Sequence, residues 1–363
     1  MKLIYTPIAA LVLSSTLVVG NNANAAGWAD RTSIGGFASS NFSATDSSVP
    51  YNGEKNVGHD NQGSFSSTRV GLTINSEINK RVRFAGQMFT AKAVDFDLII
   101  DWAFAELAIT DDLSLRAGKV KFPAGILNEY KDVGYAMPWI TAPAVIYTEL
   151  GAPNGPQMTR AGYTGGSLLG TRNVGDWALD ADLFGGEINL EGAKVRTLIG
   201  FKTSANWDDV LLLQASAYEG TMRGTTNPMM EGAKHNGTML GLKADWNNVI
   251  VYAEHAQITM GSLDNMKAVS WYGTLGYQMG KFLPHVTFQS FEQGKGAIDM
   301  NGNPDEDKQN TVTAGLRWDW LPGVALKAEF SQINTTEGVG LFPQGSAPPG
   351  KVNMVSFGID TVF

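Results

Sequence analysis

Residues 309–330 read QNTVTAGLRWDWLPGVALKAEF. Val312, Ala314, Leu316, Trp318 and Trp320 are apolar, whereas Thr311, Thr313, Gly315, Arg317 and Asp319 between them are small, polar or charged. Beyond Leu321-Pro322-Gly323 the pattern resumes, with Val324, Leu326, Ala328 and Phe330 set against Ala325, Lys327, Glu329 and Ser331. A period of two marks a strand, because successive side chains point to opposite faces. In a soluble protein the apolar face would be core. In a membrane barrel it faces lipid, and the charges face a wet interior. One hairpin does not choose between them.

The rest of the chain narrows the choice. It begins MKLIYTPIAALVLSSTLVVGNNANA, with Lys2, an apolar run broadly from Ile8 to Val19 and a small-x-small Ala23-Asn24-Ala25 site. We expect residues 1–25 to be a cleaved secretory leader, leaving one domain over 26–363. The run is short for a spanning helix and Ser14, Ser15 and Thr16 interrupt it. Later in the sequence no apolar stretch is long enough to be one. Hydrophobic residues make up 43% and the mean hydropathy is −0.10, so a helical membrane protein is not expected. A secreted chain of 363 residues with no cysteine is no disulfide scaffold. A formal charge of −8 argues against a nucleic-acid partner. No Pro/Ser linker divides the chain.

Alternating segments recur near 31–43, 64–77, 81–91, 97–109, 113–121, 157–170, 176–186, 193–204, 209–221, 237–246, 249–259, 267–279, 282–292, 310–320, 324–334 and 351–363. These are about 16 strands, an even number. The joins sort by length. Asn79-Lys80, Asp111-Asp112, Asn206-Trp207-Asp208, Asn247-Asn248, Gly280-Lys281 and Leu321-Pro322-Gly323 are tight and carry turn residues. The join after the sixth strand reads somewhat longer. Joins after odd strands are usually long, notably 44–63, 122–156, 222–236, 293–309 and 335–350. Short turns at one rim and long loops at the other are the layout of an outer-membrane barrel. The fold expected is therefore all-β, a transmembrane antiparallel β-barrel with apolar alternate residues toward outer-membrane lipid. Trp246, Trp318 and Trp320 precede tight turns, where an aromatic girdle belongs. The segment DWAFAELAI is apolar on nearly both faces, which suits a subunit contact or a place under an inserted loop.

The last strand alternates Thr361, Ile359, Phe357 and Val355 against Val362, Asp360, Gly358 and Ser356, and ends on Phe363. It resembles the C-terminal strand of bacterial outer-membrane barrels, which the resemblance implies is read by the outer-membrane assembly machinery. Thr361 departs from the apolar residue usual there.

Sixteen tilted strands enclose a channel too wide for side chains to fill. The longest connection, KFPAGILNEYKDVGYAMPWITAPAVIYTELGAPNGP from Lys121 to Pro156, is rich in aromatic and branched residues, and a loop this long is usually functional. It stands where general porins fold their third loop into the lumen as a constriction. LRAGKVKFP followed by DVGYAMPWITAPAVIY also resembles a motif of Gram-negative porin-like proteins, matched at Gly118, Pro123, Asp132, Val133, Gly134, Tyr135, Pro138, Trp139, Pro143 and Tyr147. Lys119 and Lys121 stand where arginines are usual, Met137 replaces a tyrosine and Thr141 replaces an arginine. Lysine is a poorer bidentate binder of carboxylate or phosphate, so the motif leaves anion preference open. The resemblance to general porins implies a homotrimer in the outer membrane of a Gram-negative cell.

The expected function is passive diffusion of small hydrophilic solutes or ions, with no catalysis and no cofactor. Basic candidates for the pore wall and constriction are Arg69, Arg81, Arg83, Arg116, Lys119, Lys121, Lys131, Arg196, Lys243, Arg317 and Lys327. Tyr135 and Trp139 join them from the loop. Acidic candidates are Glu106, Glu129, Asp132, Asp180, Asp182, Asp245, Glu254, Asp319, Glu329 and Asp360. Rings of one sign select ions of the other, although many such charges simply pair across strands. Three other classes fit less well. An enzyme needs a base near a nucleophile, and His59, His235, His255 and His285 form no such arrangement in the sequence. An adhesive barrel would have a plugged lumen; its acidic loop DMNGNPDED (299–307) fails the EF-hand pattern. A soluble periplasmic β-protein would not segregate its loop lengths.

Overall fold

The structure, a computed structural model, describes residues 28–51, 63–91, 96–147, 162–190, 193–225, 230–261, 267–295, 306–343 and 350–363. The leader expected over 1–25, His59, the whole of 148–156 and most of 299–307 lie outside them. The alternating segments become β1 (Thr32–Thr45), β2 (Arg69–Glu77), β3 (Val82–Ala91), β4 (Ile99–Ala108), β5 (Leu113–Lys121), β6 (Gly162–Val174), β7 (Trp177–Leu190), β8 (Ala193–Trp207), β9 (Leu211–Arg223), β10 (Lys234–Trp246), β11 (Val249–Met260), β12 (Lys267–Tyr277), β13 (Phe282–Gln293), β14 (Asp307–Leu321), β15 (Val324–Glu337) and β16 (Lys351–Val362). Each strand pairs antiparallel with its sequence neighbours. β1 also pairs with β16, Phe37 opposite Val362, so the sheet closes on itself. Phe363 and Gly36 complete the seam, exchanging backbone hydrogen bonds of 2.8 and 3.0 Å.

The period of two sorts the side chains as a closed barrel requires. Val70, Phe84, Leu240, Val312, Phe330 and Phe357 point outward and stay exposed; Thr73, Gln87, Thr313, Arg317, Lys327 and Asp360 lie on the opposite parity and are buried. Exposed apolar residues in one continuous outer band are what lipid requires. At the short-turn rim Trp246, Trp207 and Trp320 are exposed, and Trp177–Trp207 and Phe282–Trp318 rings pair at 6.4 and 5.8 Å. Asn247 and Asn248 join β10 to β11 with both φ angles positive, the two-residue turn whose twist matches the strands. The join after β6 is not long: β6 runs to Val174, and Gly175-Asp176 alone separates it from β7.

β4 carries a bulge. Gln87 pairs with Trp102 and Met88 with Ile100, leaving Asp101 as the extra residue. Asp101 and Trp102 thus turn inward together. Its two apolar faces resolve accordingly: Ile100 and Leu107 face outward, Ile99 packs against the buried cluster of Phe37, Phe89, Ala91, Val133 and Ala136, and Trp102 stacks on Phe104.

Candidate functional site

The chain leaves β5 at Lys121, and residues 122–147 are held by side chains of the inward parity on strands widely spaced around the barrel. Lys121 sits between Asp101 (2.7 Å) and Asp132 (2.9 Å). Arg69 on β2 donates to the Asp132 carbonyl at 2.7 Å. Arg317 on β14 donates to the carbonyls of Tyr135 (2.6 Å) and Met137 (2.9 Å), its guanidinium 4.8 Å from the Tyr135 ring centre. Lys327 on β15 donates to those of Gly134 (2.7 Å) and Trp139 (2.6 Å) and pairs with Asp360 on β16 at 2.7 Å. Irregular backbone needs partners for its carbonyls away from water, and these cations supply them. Carboxylates do the same for its N–H groups: Glu329 accepts from Ile140, and Glu254 from Ile126.

Glu254 on β11 also accepts from the hydroxyls of Tyr147 (2.5 Å) and Tyr272 (2.8 Å). Burial, reinforced by the Glu254 charge, pushes the Tyr147 hydroxyl far above its ordinary range, so Tyr147 stays a donor. Trp139 donates to Thr287 at 2.8 Å and packs edge-on against Tyr252 and Tyr272. A Cβ at Gly134 would collide with the Asp360 carboxylate, so only glycine fits there.

A second group of charges is left partly open on the β3–β8 wall. Glu106 accepts from Arg83 at 2.9 Å and from Arg116 at 3.0 and 3.2 Å, all through one oxygen. Arg116 lies 4.3 Å over the Phe104 ring, a cation–π contact. Glu129, from the loop, is exposed and pairs with Lys202 on β8 at 2.9 Å. That ammonium holds the Glu129 carboxyl below the usual carboxylate range. Lys243 extends the wall over Tyr252.

The predicted residues therefore separate. Arg69, Lys121, Asp132, Trp139, Arg317 and Lys327 grip the loop, and Lys131 reaches the Tyr147 carbonyl at 3.5 Å. Arg83, Arg116, Glu129 and Lys243 share the open wall. Arg81 sits exposed at the short-turn rim with its backbone N–H on Asn79. Lys119 stands apart: it follows Leu115 and Ala117 on the outward parity, opposite Ala103, and donates to the Ile100 carbonyl at 2.7 Å. Asp101 escaped notice in the sequence because it is itself the extra residue of the β4 bulge, whereas alternation alone puts Lys202 on the parity expected of Arg196. In β8 the register shifts between Arg196 and Ile199, so Arg196 is outward and Lys202 inward although both are even-numbered. The described residues contain no group of three or more metal-ligating side chains.

No protein-family profile matches the sequence, and no curated protein is similar to it in sequence. Solved structures do resemble it in fold. OmpF of Salmonella typhi, in a complex with daunomycin, superposes with a TM-score of 0.62 at 14% identity, over 92% of this chain and 97% of that one. The anion-selective porin from Comamonas acidovorans also gives 0.62, at 12% identity over 92% and 99%. OmpT of Vibrio cholerae, an outer membrane protein solved in a trimer form, gives 0.58 at 11% identity over 92% and 99%. The fold is thus that of the Gram-negative outer-membrane porins.

Proposed function

We propose that this chain is an outer-membrane channel for passive diffusion of small hydrophilic solutes and ions, and that residues 122–147 lie across its lumen as the constriction. The observation that carries this reading is the anchoring pattern. One segment is hydrogen-bonded to inward-parity side chains on β2, β11, β13, β14 and β15, strands too far apart round a closed barrel to be reached together from outside. Arg83, Glu106, Arg116, Glu129 and Lys202 then line the gap beside it. Both signs are present, so selectivity is weak. Two arginines share one carboxylate on the β3–β5 side, which supports an anion-favouring charge there. The resemblance in fold to an anion-selective porin and to OmpF supports a channel, and the trimer form of OmpT supports a homotrimer. With this reading go export behind a leader over 1–25 and recognition of the Phe363 end by the assembly machinery.

A second reading, a plugged surface barrel, is favoured by one observation. Near the long-loop rim the inward parity of β7–β12 is largely apolar, with Ile188, Val195, Met222 and Met239 buried in one hydrophobic cluster. Ion conductance of the folded protein in a planar bilayer separates the two: an open ohmic current supports the channel, and a silent folded barrel supports the plug.

A further inference from the structure

At the long-loop rim of β8–β10 the outward face departs from the pattern of the rest of the band. Lys194 on β8 stands directly opposite Arg223 on β9, and Arg196 opposite Thr221, which is itself opposite Lys234 on β10. Like charges facing each other across strands are destabilising unless something anionic lies between them. Glu219 pairs closely with Lys234, but the carboxylates near Lys194, Arg196 and Arg223 answer only loosely. Glu187 is 3.5 Å from Lys194 and 3.8 Å from Arg196, Glu231 is 3.4 Å from Arg223, and Glu219 is 2.8 Å from Lys234. Three acids thus face four cations, and Lys194, Arg196 and Arg223 line a cleft of about 490 Å³.

The backbone is strained to put Arg196 there. Counting back from inward Lys202, strict alternation would turn Arg196 inward; the bulge reverses it, with Thr197 in the left-handed region at φ 51°. Threonine rarely adopts that conformation, and such strain persists where the surroundings impose it, often at ligand sites. Immediately below, Ile199, Phe201 and Leu240 are 58%, 51% and 61% exposed on the same outward face. The cations therefore lie where the apolar band ends, at head-group level.

We propose that this outward patch binds the phosphate groups of a lipid head group in the leaflet at the long-loop rim. Arginine matches phosphate with a planar fork of donors, and the acyl chains would lie on the apolar residues beneath. The assignment does not depend on the channel reading.

The test uses the folded full-length barrel in detergent, incubated with lipid A, which carries two phosphates, or with its dephosphorylated derivative. Phosphorus or acyl chain retained per barrel is measured after gel filtration, and mobility of the unheated protein on a gel confirms folding. Wild type should retain lipid A and not the dephosphorylated form. Arg196→Ser/Arg223→Ser should weaken retention by about tenfold or more, from the loss of charge-assisted contacts. Glu187→Gln, which removes a competing carboxylate, should strengthen it, and decides the matter if the double variant fails to fold. Conductance, where present, should not change. Equal retention by all variants would overturn the proposal. So would displacement of lipid A by inorganic phosphate at equal phosphorus, which would make the patch a free-anion site.

Discussion

Lys327 and Asp360, on adjacent strands β15 and β16, form an ion pair of 2.7 Å with both side chains out of reach of solvent, and the same ammonium caps two carbonyls of the loop that follows β5. The pair thus joins the barrel wall to the loop. Removing one partner of a buried pair leaves the other charge stranded, at a cost of about 3–5 kcal/mol. Lys327→Met should lower the heat-unfolding midpoint and destabilise the loop, read as noisier single-channel current. Adding Asp360→Asn should recover part of the loss. An unchanged midpoint in the single variant would mean that the pair does not hold the loop.

Glu254 receives the Ile126 amide and two tyrosine hydroxyls. Glu254→Ala leaves these donors without an acceptor, each unsatisfied buried donor costing about 1–3 kcal/mol. Hydrogen exchange should accelerate at Ile126 and at Leu127, whose N–H donates to Tyr147, while amides of β14 and β15 keep their protection. Uniform acceleration across the barrel would instead point to global destabilisation.

Arg83 and Arg116 share Glu106, whereas Lys119 lies on the outward parity. Arg83→Ser/Arg116→Ser should move the reversal potential in a salt gradient toward cation preference. Lys119→Ser should leave it in place. A shift from Lys119→Ser and none from the arginine pair would reverse the assignment of this wall.

Glu129 has its carboxyl lowered by the Lys202 charge. The ion pair is therefore whole at neutral pH and persists through the range near 4.3 where an exposed glutamate protonates; it is lost only as pH falls further. Comparison of reversal potentials for wild type and Glu129→Gln should show a difference that persists below that range and then closes. A difference that closes at or above the ordinary glutamate range would contradict the pairing.

Much of this was legible in the sequence, because a period of two is a local property. The hairpin at 309–330 reads correctly side chain by side chain: Val312 and Phe330 point outward and stay exposed, Arg317 and Lys327 turn inward. What Arg317 and Lys327 do there was not legible. Expected on the pore wall or constriction, they bind carbonyls nearly two hundred residues away in the chain, contacts that no local pattern encodes. Lys119 and Lys121 looked alike through the motif, yet the alternation of Leu115 and Ala117 already assigned Lys119 to the outside. Lys121 reaches inward from the last position of its strand. Arg196 was expected inward, on the parity it shares with Lys202, and the bulge at Thr197 turns it outward, since one extra residue reverses every facing on its far side.

The most direct test of the central claim is planar-bilayer recording of the refolded protein under a tenfold KCl gradient. A channel narrowed by residues 122–147 predicts stepwise ohmic conductance, closing in thirds if the channel is a trimer, with a reversal potential that moves when Arg83 and Arg116 are removed. Verified folded barrels that pass no current would contradict the account and make the apolar packing near the long-loop rim a plug.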